Sequence, residues 1–116
     1  RHRNKYYLSS DVLKIGQEIP PSIFNCDQEY LEKAKSPSQL ADELILQCLE
    51  NNWLIDGNIE IDLSKVKIDD TPKSKAVLVT RMNVLEVTGS TVVAKALSQK
   101  SNGDVYMEGD VRLTFK

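Results

Sequence analysis

An α+β domain, with an antiparallel sheet wrapped around one central helix, is the fold class this sequence predicts, and three features predict it. The first is the final stretch, where Val105, Met107, Gly109, Val111, Leu113 and Phe115 alternate without a break against Tyr106, Glu108, Asp110, Arg112, Thr114 and Lys116. A period of two belongs to a strand with one covered face. The second is a helical segment over residues 40–49 that is apolar on most of its circumference and supplies that cover. The third is a pair of hairpin turns, Thr88-Gly89-Ser90 and Ser101-Asn102-Gly103, which divide residues 76–116 into three strands.

In chain order, residues 6–8 and 12–15 are short apolar pieces, and residues 16–21 carry the turn chemistry of Gly16 and paired Pro20 and Pro21. The reading therefore treats residues 1–21 as a lead-in and residues 22–116 as a single domain, which a chain of 116 residues accommodates with a real core. A short first strand is predicted over 22–26, then an irregular or single-turn segment over 27–35. Ser36-Pro37-Ser38-Gln39 is a helix start, with Ser36 as cap, Pro37 at the first helical position and Gln39 completing an S-x-x-Q capping box. Along the helix Gln39, Glu43, Gln47 and Glu50 form one narrow polar stripe, so the rest of the surface has to be buried.

After the turn at Asp56-Gly57-Asn58, Ile59, Ile61 and Leu63 alternate with polar residues, and Val66 and Ile68 resume the alternation one step out of phase. That phase change predicts a strand with a bulge near Ser64. A polar loop over 69–75 contains Pro72 and leads into strands at 76–87 and 91–97 and the closing strand.

Composition excludes several function classes. A net charge of −2 with 41% hydrophobic and 28% charged residues argues against a nucleic-acid binder, since phosphate neutralisation needs a concentrated basic excess. The basic cluster at Arg1, Arg3 and Lys5 reads as a solvated tail. No apolar run approaches the roughly 20 residues of a membrane span. Cys26 and Cys48 have no close motif and read as reduced structural thiols of a cytoplasmic protein; no metal site and no cofactor are expected.

The order of strand, buried helix and four strands, together with the stretches Val66-Lys-Ile-Asp-Asp-Thr-Pro72, Val84 to Val93 and Asn102 to Val111, resembles the hotdog-fold thioesterase and dehydratase superfamily over residues 22–116. Ser38-Gln39-Leu40-Ala41-Asp42-Glu43 is similar to the helix start of its small acyl-thioesterases, where an H-G-G loop precedes a helix carrying L-A-D. The resemblance implies an acyl-coenzyme A or acyl-carrier ligand and a homodimer or higher homo-oligomer with sites at the subunit interface. It implies thioester hydrolysis with Asp42 as base or nucleophile, a backbone amide around Ser36 to Ser38 as oxyanion holder and Asn25 orienting the substrate. The H-G-G positions fall on Lys33, Ala34 and Lys35, which implies the alternative of a non-catalytic acyl-coenzyme A-binding regulatory or protein-interaction module.

The residues carry part of this independently. Asp42 lies about 100° around the helix from Glu43, the middle of the polar stripe, and is the odd carboxylate at an apolar position, with Ile45, Leu46 and Leu49 as its helical neighbours. Desolvation there would raise its pKa, which suits a general base, while a solvated Asp near a helix start also satisfies the dipole. Arg81 and Asn83 share a face with Val77, Val79, Leu85 and Val87, as candidates for anchoring a ligand's anionic group or as an edge or interface pair. The sole histidine, His2, lies in the tail, which disfavours hydratase chemistry and any Ser-His or Cys-His nucleophile.

Overall fold

A computed structural model describes residues 6–33 and 36–116. Arg1, His2, Arg3 and Lys5 of the tail, and Ala34 and Lys35 of the loop before the main helix, lie outside the described residues. The chain is an α+β domain with a five-stranded, open antiparallel sheet in the order β1-β3-β4-β5-β2. The strands are β1 (Glu18–Cys26), β2 (Ile59–Ile68), β3 (Ala76–Thr88), β4 (Thr91–Lys100) and β5 (Val105–Phe115). Between β1 and β2 run a short helix α1 (Gln28–Lys33) and the main helix α2 (Pro37–Glu50).

Helix α2 starts where its cap is. Ser36 Oγ accepts a hydrogen bond from the Gln39 backbone N–H at 3.2 Å, and Pro37 occupies the first turn, where an N–H would have no helical partner. Leu40, Ala41, Leu44, Ile45, Cys48 and Leu49 are buried against the sheet. On the same covered face of the sheet β4 contributes the small buried side chains Ala94, Ala96 and Ser98. The edge strands β1 and β2 also come close to α2, so the sheet curls around it. Thr80 and Ser98 are buried polar residues, and they satisfy each other through an Oγ1 to Oγ hydrogen bond of 2.6 Å.

Several expectations are corrected. The first strand begins at Glu18, so the boundary drawn at residue 21 falls inside it, and Leu8, Leu13 and Ile19 join the core. Gly16 N–H donates to Val84 O at 2.8 Å and Val84 N–H to Gln17 O at 2.9 Å, which ties the lead-in to the sheet. Pro20 and Pro21 do not end the strand, because they sit at a register shift of an edge strand, where a missing N–H breaks no interior ladder. Residues 28–33, expected to be irregular or a single turn, form α1, which is held to β1 by an edge-to-face contact of Tyr30 with Phe24 at 5.2 Å.

The unbroken alternation of the last strand is also corrected. A register shift opposite Ser98 and Gln99 turns Tyr106 inward beside Met107, and leaves Val105 44% exposed. From Met107 onward the alternation holds. Gly109 has φ of +151°, and a Cβ there would lie 2.4 Å from Lys65 O, at the bulge of β2. No other residue type fits that close approach.

Candidate functional site

The start of α2 gathers the polar candidates that belong together. Ser36 caps the helix, and its Oγ lies 3.3 Å from Ser38 Oγ. Tyr106, turned inward by the β5 bulge, donates from its hydroxyl to Pro37 O at 3.0 Å and so ties the first turn of the helix to the sheet. Burial pushes the Tyr106 phenol up to about 12, which keeps it a hydrogen-bond donor. Because Gln39 N–H is held by Ser36 and Pro37 has no N–H, the Ser38 backbone N–H is the donor for which the described residues provide no acceptor. An open cleft of about 490 Å³ borders this end, lined by Leu31, Glu32, Ser36, Pro37, Thr71 and Pro72 among others.

Asp42 follows one turn later. It is half-buried, and burial raises its carboxyl above the usual carboxylate range. Among the described residues it has no hydrogen-bond or ion-pair partner, although it does not line the cleft. Its direction follows from the helix: Gln47 Nε2 reaches Ile23 O on β1 at 3.4 Å, and Asn51 Nδ2 reaches Ser22 Oγ at 3.1 Å. Asp42 and half-buried Leu46 lie about 140° and 100° from Gln47, so they occupy the flank of α2 that points away from β1.

The remaining candidates are elsewhere. Asn25 is exposed on the face of the sheet away from α2, beside an open cleft with Asp27, Lys75 and Ser101. Arg81 and Asn83 are exposed on that same outer face, at a groove of about 200 Å³ between β1 and β3. The covered face of β3 is instead Leu78, Thr80, Met82 and Val84. Ser36, Ser38 and Asp42 are therefore brought to one end of α2, while the sheet separates Asn25, Arg81 and Asn83 from them within one protomer. Sequence reasoning missed Tyr106, whose only local sign is an amphipathic side chain in a strand position that alternation assigns to solvent.

Both cysteines are free and buried. Cys48 Sγ donates to Thr80 O at 3.5 Å, and burial raises its thiol to about 11. Burial, aided by Asp27, also raises Cys26. Neither is poised to form a nucleophilic thiolate at neutral pH. Among the described residues no cluster of His, Cys, Asp or Glu is arranged to hold a metal ion, and no helix is long and apolar enough to cross a membrane. No protein-family model matches the chain, and neither a curated protein nor a solved structure matches it.

Proposed function

We propose that this chain is a hotdog-type domain that binds acyl groups presented as thioesters of coenzyme A or an acyl carrier, hydrolyses the thioester, and acts as a homodimer. The observation that carries the reading is Asp42, a half-buried carboxylate with a raised pKa and no described partner, one turn inside a helix that a sheet wraps. Such a group serves as a general base, because desolvation makes it a stronger proton acceptor. In this scheme Asp42 takes a proton from water as its oxygen attacks the carbonyl carbon. The Ser38 backbone N–H donates to the developing oxyanion, and as the C–S bond breaks the proton held by Asp42 passes to the leaving sulfur, which departs as the thiol and returns Asp42 to its carboxylate. Ser36 holds the turn that presents that N–H.

The test is thiol release from a panel of acyl-coenzyme A thioesters of increasing chain length. Wild type releases thiol, and Asp42→Asn, which preserves shape, loses roughly a hundredfold or more in rate. Unchanged release by the variant overturns the role of Asp42. A second reading, a non-catalytic thioester-binding module, is favoured by Lys33-Ala34-Lys35 standing where the resemblance calls for a histidine and two glycines. It predicts thermal stabilisation by the same thioesters with no thiol released.

A further inference from the structure

The turn that joins β4 to β5 holds Asn102 against the groups that its own cyclisation needs. Ser101, Asn102 and Gly103 form a loop closed by hydrogen bonds from Lys100 N–H to Asp104 O and from Gly103 N–H to Lys100 O, each at 2.8 Å. Gly103 has φ of +97°, and the whole loop is exposed to water. Asn102 is the only asparagine of the sequence that glycine follows, so no side chain on the next residue shields the backbone nitrogen beside it.

Two contacts of the side-chain amide give the loop its chemistry. Asn102 Oδ1 accepts from the Asp104 backbone N–H at 2.9 Å, and Asn102 Nδ2 donates to Asp104 Oδ2 at 3.1 Å. The first bond closes an Asx turn, which folds the amide back over the peptide bond to Gly103. It also polarises the carbonyl at Cγ and keeps an N–H in place for the charge that develops on Oδ1 under attack. The second bond sets a carboxylate beside the nitrogen that would leave.

We infer that Asn102 is a self-modifying site, at which the folded turn converts the asparagine to aspartate and isoaspartate with water as the only co-reactant. Gly103 N attacks Asn102 Cγ and closes a five-membered imide. The Gly103 amide proton passes to the Asp104 carboxylate and on to Nδ2, the Cγ–Nδ2 bond breaks, and the nitrogen leaves as ammonia. Water then opens the imide: hydrolysis at Cγ leaves aspartate, and hydrolysis at the backbone carbonyl leaves isoaspartate, whose main chain runs through Cβ and Cγ. The step gives up one hydrogen bond, from Gly103 N–H to Lys100 O, which an exposed loop tip releases at low free energy.

The product reaches beyond the loop. Isoaspartate adds one carbon to the main chain inside the turn that sets the register of β4 on β5. The shift between Ser98 and Gln99 lies a few residues away and turns Tyr106 inward onto Pro37 O, so a longer loop loosens the strut on the start of α2. Aspartate keeps the path of the chain and sets a second carboxylate against that of Asp104. The reaction uses neither Asp42 nor a thioester, and it stands apart from the proposed function.

The test incubates the chain at physiological temperature and neutral pH, with peptide mapping that separates asparagine, aspartate and isoaspartate at position 102 and with ammonia release as a second measure. A synthetic peptide of residues 99–105 carries the same sequence without the fold. The folded chain loses Asn102 roughly tenfold faster than the peptide. Asp104→Ser, which keeps the backbone N–H and removes the carboxylate, slows the loss roughly tenfold or more. Asn102→Gln, whose longer side chain must close a larger ring, stays unmodified. After ageing, wild type melts roughly 4 °C lower while Asn102→Gln keeps its melting temperature. Should Asp104→Ser fail to fold, the comparison with the peptide still decides. An Asn102 that survives in the folded chain, or that reacts no faster there than in the peptide, overturns the inference. A wild-type rate in folded Asp104→Ser overturns the role of the carboxylate, and unchanged melting of the aged chain overturns the link to Tyr106.

Discussion

The two edges of the sheet are built differently. β1 buries Ile19, Ser22 and Cys26 nearly completely, is braced by Gln47 and Asn51 from α2, and carries Pro20 and Pro21 at a register shift. Prolines cannot donate to another strand, so β1 is an edge closed to partners. β2 has no proline, covers its apolar row only halfway and distributes its charges in two opposite blocks. One edge is finished within the protomer, and the other keeps a half-covered apolar row.

The largest expected effect comes from loosening β2 at its bulge. Gly109→Ala places a Cβ against Lys65 O and Val66 Cα at a φ that side chains rarely adopt, so the β2–β5 ladder must separate locally. We expect a loss of about 3 kcal/mol or more in urea unfolding. If the variant unfolds like wild type, β2 is not held by this close approach.

The converse change opens the closed edge. Pro20→Thr/Pro21→Thr restores two backbone donors to β1, and we expect stability within about 1 kcal/mol of wild type together with new, concentration-dependent association in light scattering. An unchanged particle size would mean that the prolines do not guard β1.

The smallest effect concerns the flank of α2 that points away from β1. Burial raises the Asp42 carboxyl above its unfolded value, so the folded state binds the proton more tightly and stability falls as pH rises through that range. Asp42→Asn should therefore gain less than about 1 kcal/mol at neutral pH, and the gain should vanish below about pH 4, where the wild-type carboxyl is protonated in both states. Thermal melting across pH checks it. A loss of stability at neutral pH would show that the carboxylate has a favourable partner on that flank.

Much of this fold was legible because its signals are local. The Ser36 cap, the buried stripe of α2, the bulge of β2 at residues 63–64 and the Asn102-Gly103 turn each follow from residues a few positions apart. Pro20 and Pro21 were misread as a turn because the tolerance of proline depends on a strand being at an edge, which is a property of the whole sheet. Arg81 and Asn83 were placed on a face with Val77, Val79 and Leu85, but both faces of β3 are apolar, and a period of two cannot say which one the helix covers. Tyr106 escaped because its inward turn is set by a register shift against β4.

By itself the sequence determined the helix, the five extended segments, the turns and the odd carboxylate Asp42 off the helix's polar stripe, since propensity, capping and periodicity act over one or two turns of chain. Only the tertiary structure decided that β2 and β1 are the edges, that Asn25, Arg81 and Asn83 are separated from Asp42 by the sheet, and that the charges of β2 stand opposite those of β5. Those outcomes depend on which strands pair and which face the helix occupies, and such pairing joins residues far apart in the chain through hydrogen bonds that any backbone can make.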